Sequence, residues 1–334
     1  MTIRTLLLAT AACGVALPAL ADVTIYTTRQ PELIQPVMDA FTEKTGIAVN
    51  LAFVNEGLIE RLKAEGARSP ADLVMTVDIA NMQRVVDSGT VQPVDDQALL
   101  DAVPAHLRAA DNTWFALTTR ARIVYASADR VADGEVTTYE DLADPKWKGR
   151  ICTRSGLHDY NLALLSAYIA HHGEEEAKAW AQGLKDNLAK KPEGNDRAQV
   201  KSIWAGECDI SLGNTYYMGQ MLADPEQQDW ANSVRIVFPT FEDGGTHVNV
   251  SGIALTQSAP NKEEALQLME FLVSPEAQGI YAEVNNEYPV LEGAPRSELV
   301  QGWGDFTADT IDLTEVAGHR AAALRIMEEV NFDG

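Results

Sequence analysis

Short apolar strands alternate with amphipathic helices from position 23 onward, and this alternation limits the folds open to the chain. The pattern predicts strands at 23–26, 47–53 and 72–77 and helices through 33–41 and 58–65, the first helix being stopped by Gly46. A βαβαβ order of this kind indicates a parallel sheet with helices on its faces and ligands at the carboxyl ends of its strands. Two further helices are expected at 262–272 and from Ser274-Pro275-Glu276. The predicted fold class is α/β.

Residues 1–21 have the features of a cleavable signal peptide. Arg4 supplies the positive charge, an apolar run covers residues 6–20, and Ala19-Leu20-Ala21 forms a small-x-small cleavage site. The apolar run is too short to cross a bilayer. The mature chain is therefore expected to begin at Asp22 and to reside in the periplasm.

The charge balance is strongly acidic, with 49 Asp and Glu against 26 Lys and Arg and a formal net charge of −23. Such a surface repels nucleic acid and anionic lipid and helps to keep an exported protein soluble. Nucleic acid is therefore excluded as a partner, and a monomer is expected.

Cys152 and Cys208 are the cysteines that remain after removal of the leader. Export places them in an oxidising compartment, where a structural disulfide is favoured over two free thiols. Each cysteine is predicted to lie in a strand just upstream of a candidate site loop.

The stretch "NTYYMGQ" at 214–220 contains two adjacent tyrosines after a run of small residues. A strand would point Tyr216 and Tyr217 to opposite faces, because side chains alternate with period two. Both phenols can reach one cleft if the strand ends just before them. Three roles are open: core aromatics, a stacking platform for an organic ligand, or oxygen ligands for a hard metal ion.

Several blocks of sequence occur in the order found in one protein family. They are "VTIYTTRQ", "SPADLVMTVDIANM", "WFALTTRARIVY", "DPKWKGRICTRSG", "GNTYYMG", "VNVSGIAL" and "SPEAQ". In this order the chain resembles the periplasmic ferric-iron-binding proteins of ABC transporters, the FbpA/FutA-like group of the transferrin-like binding-protein class. The tyrosine pair and the string "RSG…YN" are the most specific parts of the resemblance.

The resemblance implies a two-lobed clamp with a central sheet flanked by helices in each lobe and the cargo in the cleft between them. Lobe one is expected to comprise residues 22–117 and 247–295, and lobe two residues 118–246 and 296–334. The cargo implied is ferric iron, and the partner implied is an ABC permease in the inner membrane. The implied role is transport, without an enzymatic activity.

Three tyrosines are the expected iron ligands, namely Tyr160, Tyr216 and Tyr217. Ferric iron is hard and prefers anionic oxygen donors, and a bound cation displaces the proton of a phenol. Three phenolates would neutralise the charge of the ion and permit its partial burial. Tyr160 enters this set because its loop resembles one that carries an iron ligand in FutA-like proteins.

Lobe one departs from the family pattern in its ligand residues. Gln30 and Pro31 stand where relatives carry a histidine or a histidine–tyrosine pair, and Val77 stands where some relatives carry a glutamate, with Asp78 beside it. Gln30 and Asp78 are thus expected to support the site rather than to bind the metal. Water or a small anion would fill the vacant coordination positions.

A small anion such as carbonate is the second expected component of the site. Ser155 and Gly156 precede a predicted helix and could offer backbone amides to it. Arg120 matches a residue that resembles the carbonate-holding arginine of some relatives. Asn214, directly before the tyrosine pair, is a further supporting residue.

Two other functions compete with ferric iron capture. The first is binding of an organic cation, thiamine-like or polyamine-like, stacked on Tyr216 and Tyr217 by cation–π attraction. The second is a secreted two-lobed enzyme, although the chain lacks HExxH, GxSxG and CxxC motifs.

Overall fold

The computed structural model describes residues 22–54 and 56–334, so the predicted signal peptide at 1–21 lies outside the described residues. The strands are β1 Val23–Thr27, β2 Val49–Phe53, β3 Leu73–Thr76, β4 Val91–Gln92, β5 Phe115–Ser127, β6 Ile151–Cys152, β7 Ile210–Asn214, β8 Val234–Val237, β9 Val248–Thr256 and β10 Tyr288–Pro289. The first seven helices are α1 Gln35–Thr45, α2 Leu58–Glu65, α3 Ile79–Asp87, α4 Gln97–Ala102, α5 Asp159–His172, α6 Glu174–Asp186 and α7 Asp196–Trp204. The others are α8 Tyr216–Ala223, α9 Gln228–Asn232, α10 Lys262–Leu272, α11 Pro275–Asn285, α12 Glu298–Gly302, α13 Leu313–Gly318 and α14 Arg320–Glu329.

The amino-terminal part of the fold follows the predicted βαβαβ order. β1 lies between β2 and β3 and is parallel to both. α2 and α10 have the predicted bounds, and the Ser274 hydroxyl caps α11 by accepting a hydrogen bond from the amide of Ala277 at 3.3 Å. The predicted α/β class is confirmed.

The sheet as a whole is mixed rather than parallel, because each of the two long strands, β5 and β9, is antiparallel to its neighbours. β9 is antiparallel to β3 and to the first half of β5, and the second half of β5 is antiparallel to β7 and β8. The resulting strand order is β2-β1-β3-β9-β5-β7-β6. β5 changes its partner between Ala121 and Arg122, so one strand belongs to both halves of the molecule.

Three apolar clusters build two lobes on this curled sheet. The largest contains residues of β1, β3, β9, α1 and α10, with Phe41 and Trp114 among its fully buried side chains. A second contains Trp147 together with residues of α5 and α6 such as Leu165, and a third packs around the two cysteines. The residue boundaries given above for the lobes stay a prediction. Within residues 22–54 and 56–334, no helix combines the length and apolar character that a bilayer crossing requires.

The predicted disulfide between Cys152 and Cys208 is present. Both cysteines are buried. Cys152 ends β6, whereas Cys208 lies two residues before β7 rather than in a strand. The bond therefore joins the segment that leads to α5 with the segment that leads to α8.

Replacing both cysteines by serine should lower the free energy of unfolding by about 4 kcal/mol, because the bond closes a loop across a sequence separation of 56. Urea unfolding of the metal-free protein, with and without a reductant, measures this change. Reductant should destabilise the wild-type protein under unfolding conditions and leave the double variant unaffected. A double variant as stable as the oxidised wild-type protein would contradict the expectation.

Candidate metal centre

Three tyrosines converge on one cavity at the amino-terminal ends of two helices. Tyr160 is the second residue of α5, and Tyr216 and Tyr217 are the first two residues of α8. The hydroxyl oxygens of Tyr160 and Tyr216 are 3.0 Å apart, and the ring centroids of Tyr216 and Tyr217 are 4.3 Å apart. All three side chains line a cavity of about 430 Å³.

The direction of the tyrosine pair follows from the point at which β7 ends. The strand finishes at Asn214, so Tyr216 and Tyr217 belong to a helix and are released from strand alternation. The backbone carbonyl oxygen of Asn214 accepts a hydrogen bond from the Tyr125 hydroxyl at 2.7 Å, and this contact fixes the end of the strand. Gly213 permits this close approach, since a Cβ there would lie 2.2 Å from the Tyr125 ring. The buried Tyr125 thus fixes the turn from which α8 begins.

Three helices of the second half of the fold direct their amino-terminal ends at this cavity. Besides α5 and α8, the helix α7 contributes Asn195, its capping residue, and Arg197 to the lining. The Asn195 side chain accepts a hydrogen bond from the Ala198 amide at 3.0 Å. The amino-terminal end of a helix carries a partial positive charge, so this convergence favours anionic groups in the cavity.

The cavity wall is also rich in arginine. Arg29 is paired with Glu287 at 2.9 Å and donates to the Ser251 hydroxyl at 2.8 Å. Arg120 is almost fully buried, yet its nearest recorded partner is that same hydroxyl at 3.5 Å, and its Nη2 atom has none. In the described part of the chain, no carboxylate forms a salt bridge with Arg120 or with Arg197. A buried cation without a counter-charge is costly, so the wall is suited to an anion in the cavity.

A buried ion-pair network lies behind the tyrosines. Asp196 is fully buried and accepts from Arg122 at 2.8 Å and from Arg154 at 2.7 Å. Arg122 also donates to the side-chain oxygen of Asn214 at 3.2 Å. The guanidinium groups of Arg154 and Arg122 lie 5.1 and 5.8 Å from the centroid of the Tyr160 ring. The network therefore joins α7, β5 and β7 to the loop that precedes α5.

Burial keeps two of the phenols protonated in the absence of a metal. It raises the pKa of Tyr217 to about 12, with further contributions from Tyr160 and Asp196. Burial also raises the pKa of Tyr216 well above its usual value, against the opposing effect of Arg120. A cation that binds these oxygens must displace their protons.

Of the two supporting residues predicted in lobe one, Gln30 lines the cavity and Asp78 does not. Asp78 is buried and caps α3, where its carboxylate accepts from the Ala80 amide at 2.9 Å and from the Asn249 side chain at 2.7 Å. The neighbouring Val77 lines the cavity instead. The carboxylate of Asp78 is thus committed to the start of a helix.

The predicted anion cradle at Ser155 and Gly156 requires a correction. The Gly156 amide donates to the carboxylate of Asp333 at 2.7 Å, and the Ser155 hydroxyl donates to the same carboxylate. Neither residue is among those that line the cavity. The chain's own carboxylate already occupies these donors, so an external anion has no access to them.

The histidines near the cavity have structural contacts. His158 caps α5 by accepting from the Tyr160 amide at 3.2 Å, and burial lowers its pKa to about 4. His247 is buried, and burial lowers its pKa to about 3. Among residues 22–54 and 56–334, no cluster of three histidine, cysteine or carboxylate side chains is arranged to hold a metal ion. The phenols are therefore the candidate ligands that the cavity offers.

Sequence reasoning missed Asn195, Arg197 and Glu287 as residues of the cavity. The string Gly194-Asn195-Asp196 contained a usable signal, because asparagine before an acidic first turn is typical of a helix start. Glu287 carried no such signal, since it reaches the cavity through its pairing with the distant Arg29.

Known proteins are similar to this chain over most of its length. A family model described as "Bacterial extracellular solute-binding protein" matches residues 68–302. Iron uptake protein A1 of Synechocystis sp. is 43% identical over 317 residues, which cover 93% of this chain and 87% of that protein.

Two solved structures superimpose closely on the fold. Ferric iron-binding protein A of Mannheimia haemolytica, in an open conformation, has a TM-score of 0.90 and 47% identity and covers 95% of this chain and 100% of its own. Trichodesmium IdiA (FutA), in complex with iron and citrate ligands, has a TM-score of 0.90 and 42% identity and covers 93% of this chain and 99% of its own. With a family model matched over most of its length and relatives alike across nearly all of it, this chain belongs to the bacterial extracellular solute-binding protein family, as its resemblance to the periplasmic ferric-iron-binding proteins implies.

Proposed function

We propose that this chain captures ferric iron in the cleft between its lobes and delivers it to an ABC permease from the periplasm. The observation that carries the proposal is the convergence of Tyr160, Tyr216 and Tyr217 on one cavity. Relatives named as an iron uptake protein and as ferric iron-binding proteins support the same cargo. A signal peptide at 1–21 and an acidic surface are in keeping with an exported monomer.

The spacing of the phenols suits a single octahedral ion. In octahedral geometry, neighbouring oxygen ligands subtend a right angle at the ion. If each lies about 2.0–2.1 Å from the ion, the two oxygens are about 2.9 Å apart. The hydroxyl oxygens of Tyr160 and Tyr216 are 3.0 Å apart. Little rearrangement would therefore be needed for both phenolates to bind the same ion.

An anion completes the charge balance of the proposed centre. Three phenolates cancel the charge of Fe(III), which leaves Arg120 and Arg197 without counter-charges on the wall. Carbonate is one candidate, held by Arg120. The volume of about 430 Å³ also accommodates a polycarboxylate, and the Trichodesmium structure contains citrate together with iron. Either anion would supply oxygen donors where Gln30 offers a weak one.

An organic cation is the less favoured cargo, because the cavity wall is cationic. Arg29, Arg120 and Arg197 all line the cavity, and Glu287 is already paired with Arg29. A thiamine-like or polyamine-like ligand would stack on Tyr216 and Tyr217 against this repulsion. An enzymatic role lacks support of this kind, since the similar proteins are named as binding and uptake proteins.

Replacing Tyr217 by phenylalanine should remove one phenolate while keeping the ring and its packing. The visible absorption band of the iron-loaded protein should fade or shift, because phenolate-to-iron charge transfer produces it. Iron affinity should fall by more than the roughly 10- to 100-fold that loss of a supporting group costs. A visible spectrum and a competition titration against a chelator measure both effects.

Tyr168→Phe is the matched control for this test. Tyr168 is buried and stacks on Trp180 with centroids 4.7 Å apart, outside the cavity. This control should keep the wild-type band and affinity. Equal effects in the two variants would contradict the assignment of Tyr217 as a ligand.

Iron binding should release protons, because Tyr216 and Tyr217 stay protonated below their raised pKa values. Affinity should therefore fall as the pH falls, and at least two protons per iron should be released near neutral pH from these two phenols. Iron affinity measured against pH with one competing chelator tests the slope. Tyr217→Phe should make the slope shallower by about one proton, and an unchanged slope would contradict the expectation.

Arg197→Gln should weaken iron binding more in the presence of citrate than in the presence of carbonate. The expected reason is that citrate, the larger anion, would contact both the metal and the Arg197 guanidinium on the cavity wall, whereas carbonate would be held by Arg120. Lys201→Gln is the matched control, since it removes an equal charge from an exposed position one turn later on α7. Isothermal titration of both variants with each anion measures the difference, and equal losses with citrate and carbonate would exclude Arg197 from anion recognition.

A further inference from the structure

The carboxyl-terminal residues of the chain pack against the loop that precedes α5. Asp333 accepts a hydrogen bond from the Gly156 amide at 2.7 Å and another from the Ser155 hydroxyl. In the described part of the chain, Asp333 forms no salt bridge with a basic side chain. The groups that donate hydrogen bonds to its carboxylate belong to this loop. The contact joins positions separated by 177 residues in sequence.

The ring of Phe332 packs against the same loop at Gly156. Phe332 is buried, and a Cβ at Gly156 would lie 2.5 Å from its ring. Any side chain at position 156 would therefore displace the ring or the loop. The absence of a side chain at Gly156 lets the loop approach the C-terminal segment closely enough for its amide to reach Asp333.

This loop forms a turn that determines where α5 begins. The His158 amide donates to the carbonyl oxygen of Ser155 at 3.2 Å, and the Leu157 amide donates to the Ser155 hydroxyl at 3.1 Å. His158 then caps α5 by accepting from the Tyr160 amide, and its ring packs edge-on against the Tyr160 ring with centroids 4.6 Å apart. A continuous chain of contacts thus runs from Asp333 through Ser155 and His158 to Tyr160.

We propose that Asp333 is a positioning residue for the metal centre, acting as an internal anion that holds the turn at 155–158 and thereby sets the position of the Tyr160 phenol. This inference rests on the proposed role of Tyr160 as an iron ligand. The carboxylate occupies donors that would otherwise be free to bind a small anion. An external anion would therefore bind to the arginines of the cavity wall, whereas the loop binds the carboxylate of Asp333.

Asp333→Asn tests the proposal with little change in size. Amides of 153–161 should exchange with deuterium faster in the metal-free variant, because the charged acceptor of the Gly156 amide is lost. Iron affinity should fall about 10-fold, the lower end of the range for groups that orient a ligand, and the visible band should shift as Tyr160 moves. Ser155→Ala removes the other half of the contact and should reproduce both effects. Combining the two substitutions should add little to either alone.

Asp305→Asn is the matched control, because Asp305 is almost fully exposed and its pairing with Arg296 lies at the surface. It removes the same charge and should leave exchange, affinity and spectrum unchanged. Faster exchange or a lower melting temperature in Asp333→Asn, with wild-type affinity and band, would show a purely structural role and overturn the proposal. Wild-type behaviour in all three measurements would overturn it as well.

Tyr160→Phe separates this proposal from the proposed function. Loss of iron binding in Tyr160→Phe together with wild-type binding in Asp333→Asn would overturn only the role of Asp333. Wild-type iron binding in Tyr160→Phe would overturn the ligand assignment itself, and the role of Asp333 with it.

Discussion

The placement of the candidate metal centre depends on one buried ion-pair network, in which Asp196 is shared by Arg122 and Arg154. Its members come from α7, β5 and the segment after β6, and Asn161 of α5 links the last two by further hydrogen bonds. Removing one partner from a buried pair leaves an unpaired charge and typically costs about 3–5 kcal/mol. The network consequently fixes the relative positions of the helices that present the tyrosines.

The electrostatics of the cleft follow from the same arrangement. Asp196 pairs with the inner arginines Arg122 and Arg154, whereas Arg120 and Arg197 line the cavity without a salt-bridge partner in the described part of the chain. The helix amino-terminal ends add partial positive charge in the same place. The positive charge of the cleft therefore favours anions. The neutral phenols become suitable ligands only when a strongly charged cation displaces their protons. Under the proposed function, this combination would allow a site lined with arginine to bind a trivalent cation.

Local patterns predicted the parts of the fold that depend on near neighbours in sequence. The bounds of α2 and α10 and the cap at Ser274 all follow from residues a few positions apart. The disulfide followed from the compartment and the count of cysteines.

The parts that sequence reasoning missed depend on contacts between distant segments. Asp333 reaches Gly156 across 177 residues, and Arg29 reaches Glu287 across 258. Ser155 and Gly156 were read as an anion cradle because a small-residue turn before a helix has that chemistry. No local pattern could indicate that the required carboxylate is supplied by the end of the same chain. The antiparallel course of β5 and β9 was missed for a similar reason, since their partners lie in separate parts of the sequence.

The position of β9 in the sheet has a consequence for the newly made chain. β3 is fully buried in the finished molecule, with β1 on one side and β9 on the other. A chain that emerges from its amino terminus leaves one hydrogen-bonding edge of the apolar strand β3 unpaired until Val248–Thr256 follows, and an unpaired edge of this kind is a template for aggregation. β3 therefore acquires its second neighbour only after about 170 further residues have been synthesised, so protection of this edge by delayed folding would favour correct assembly.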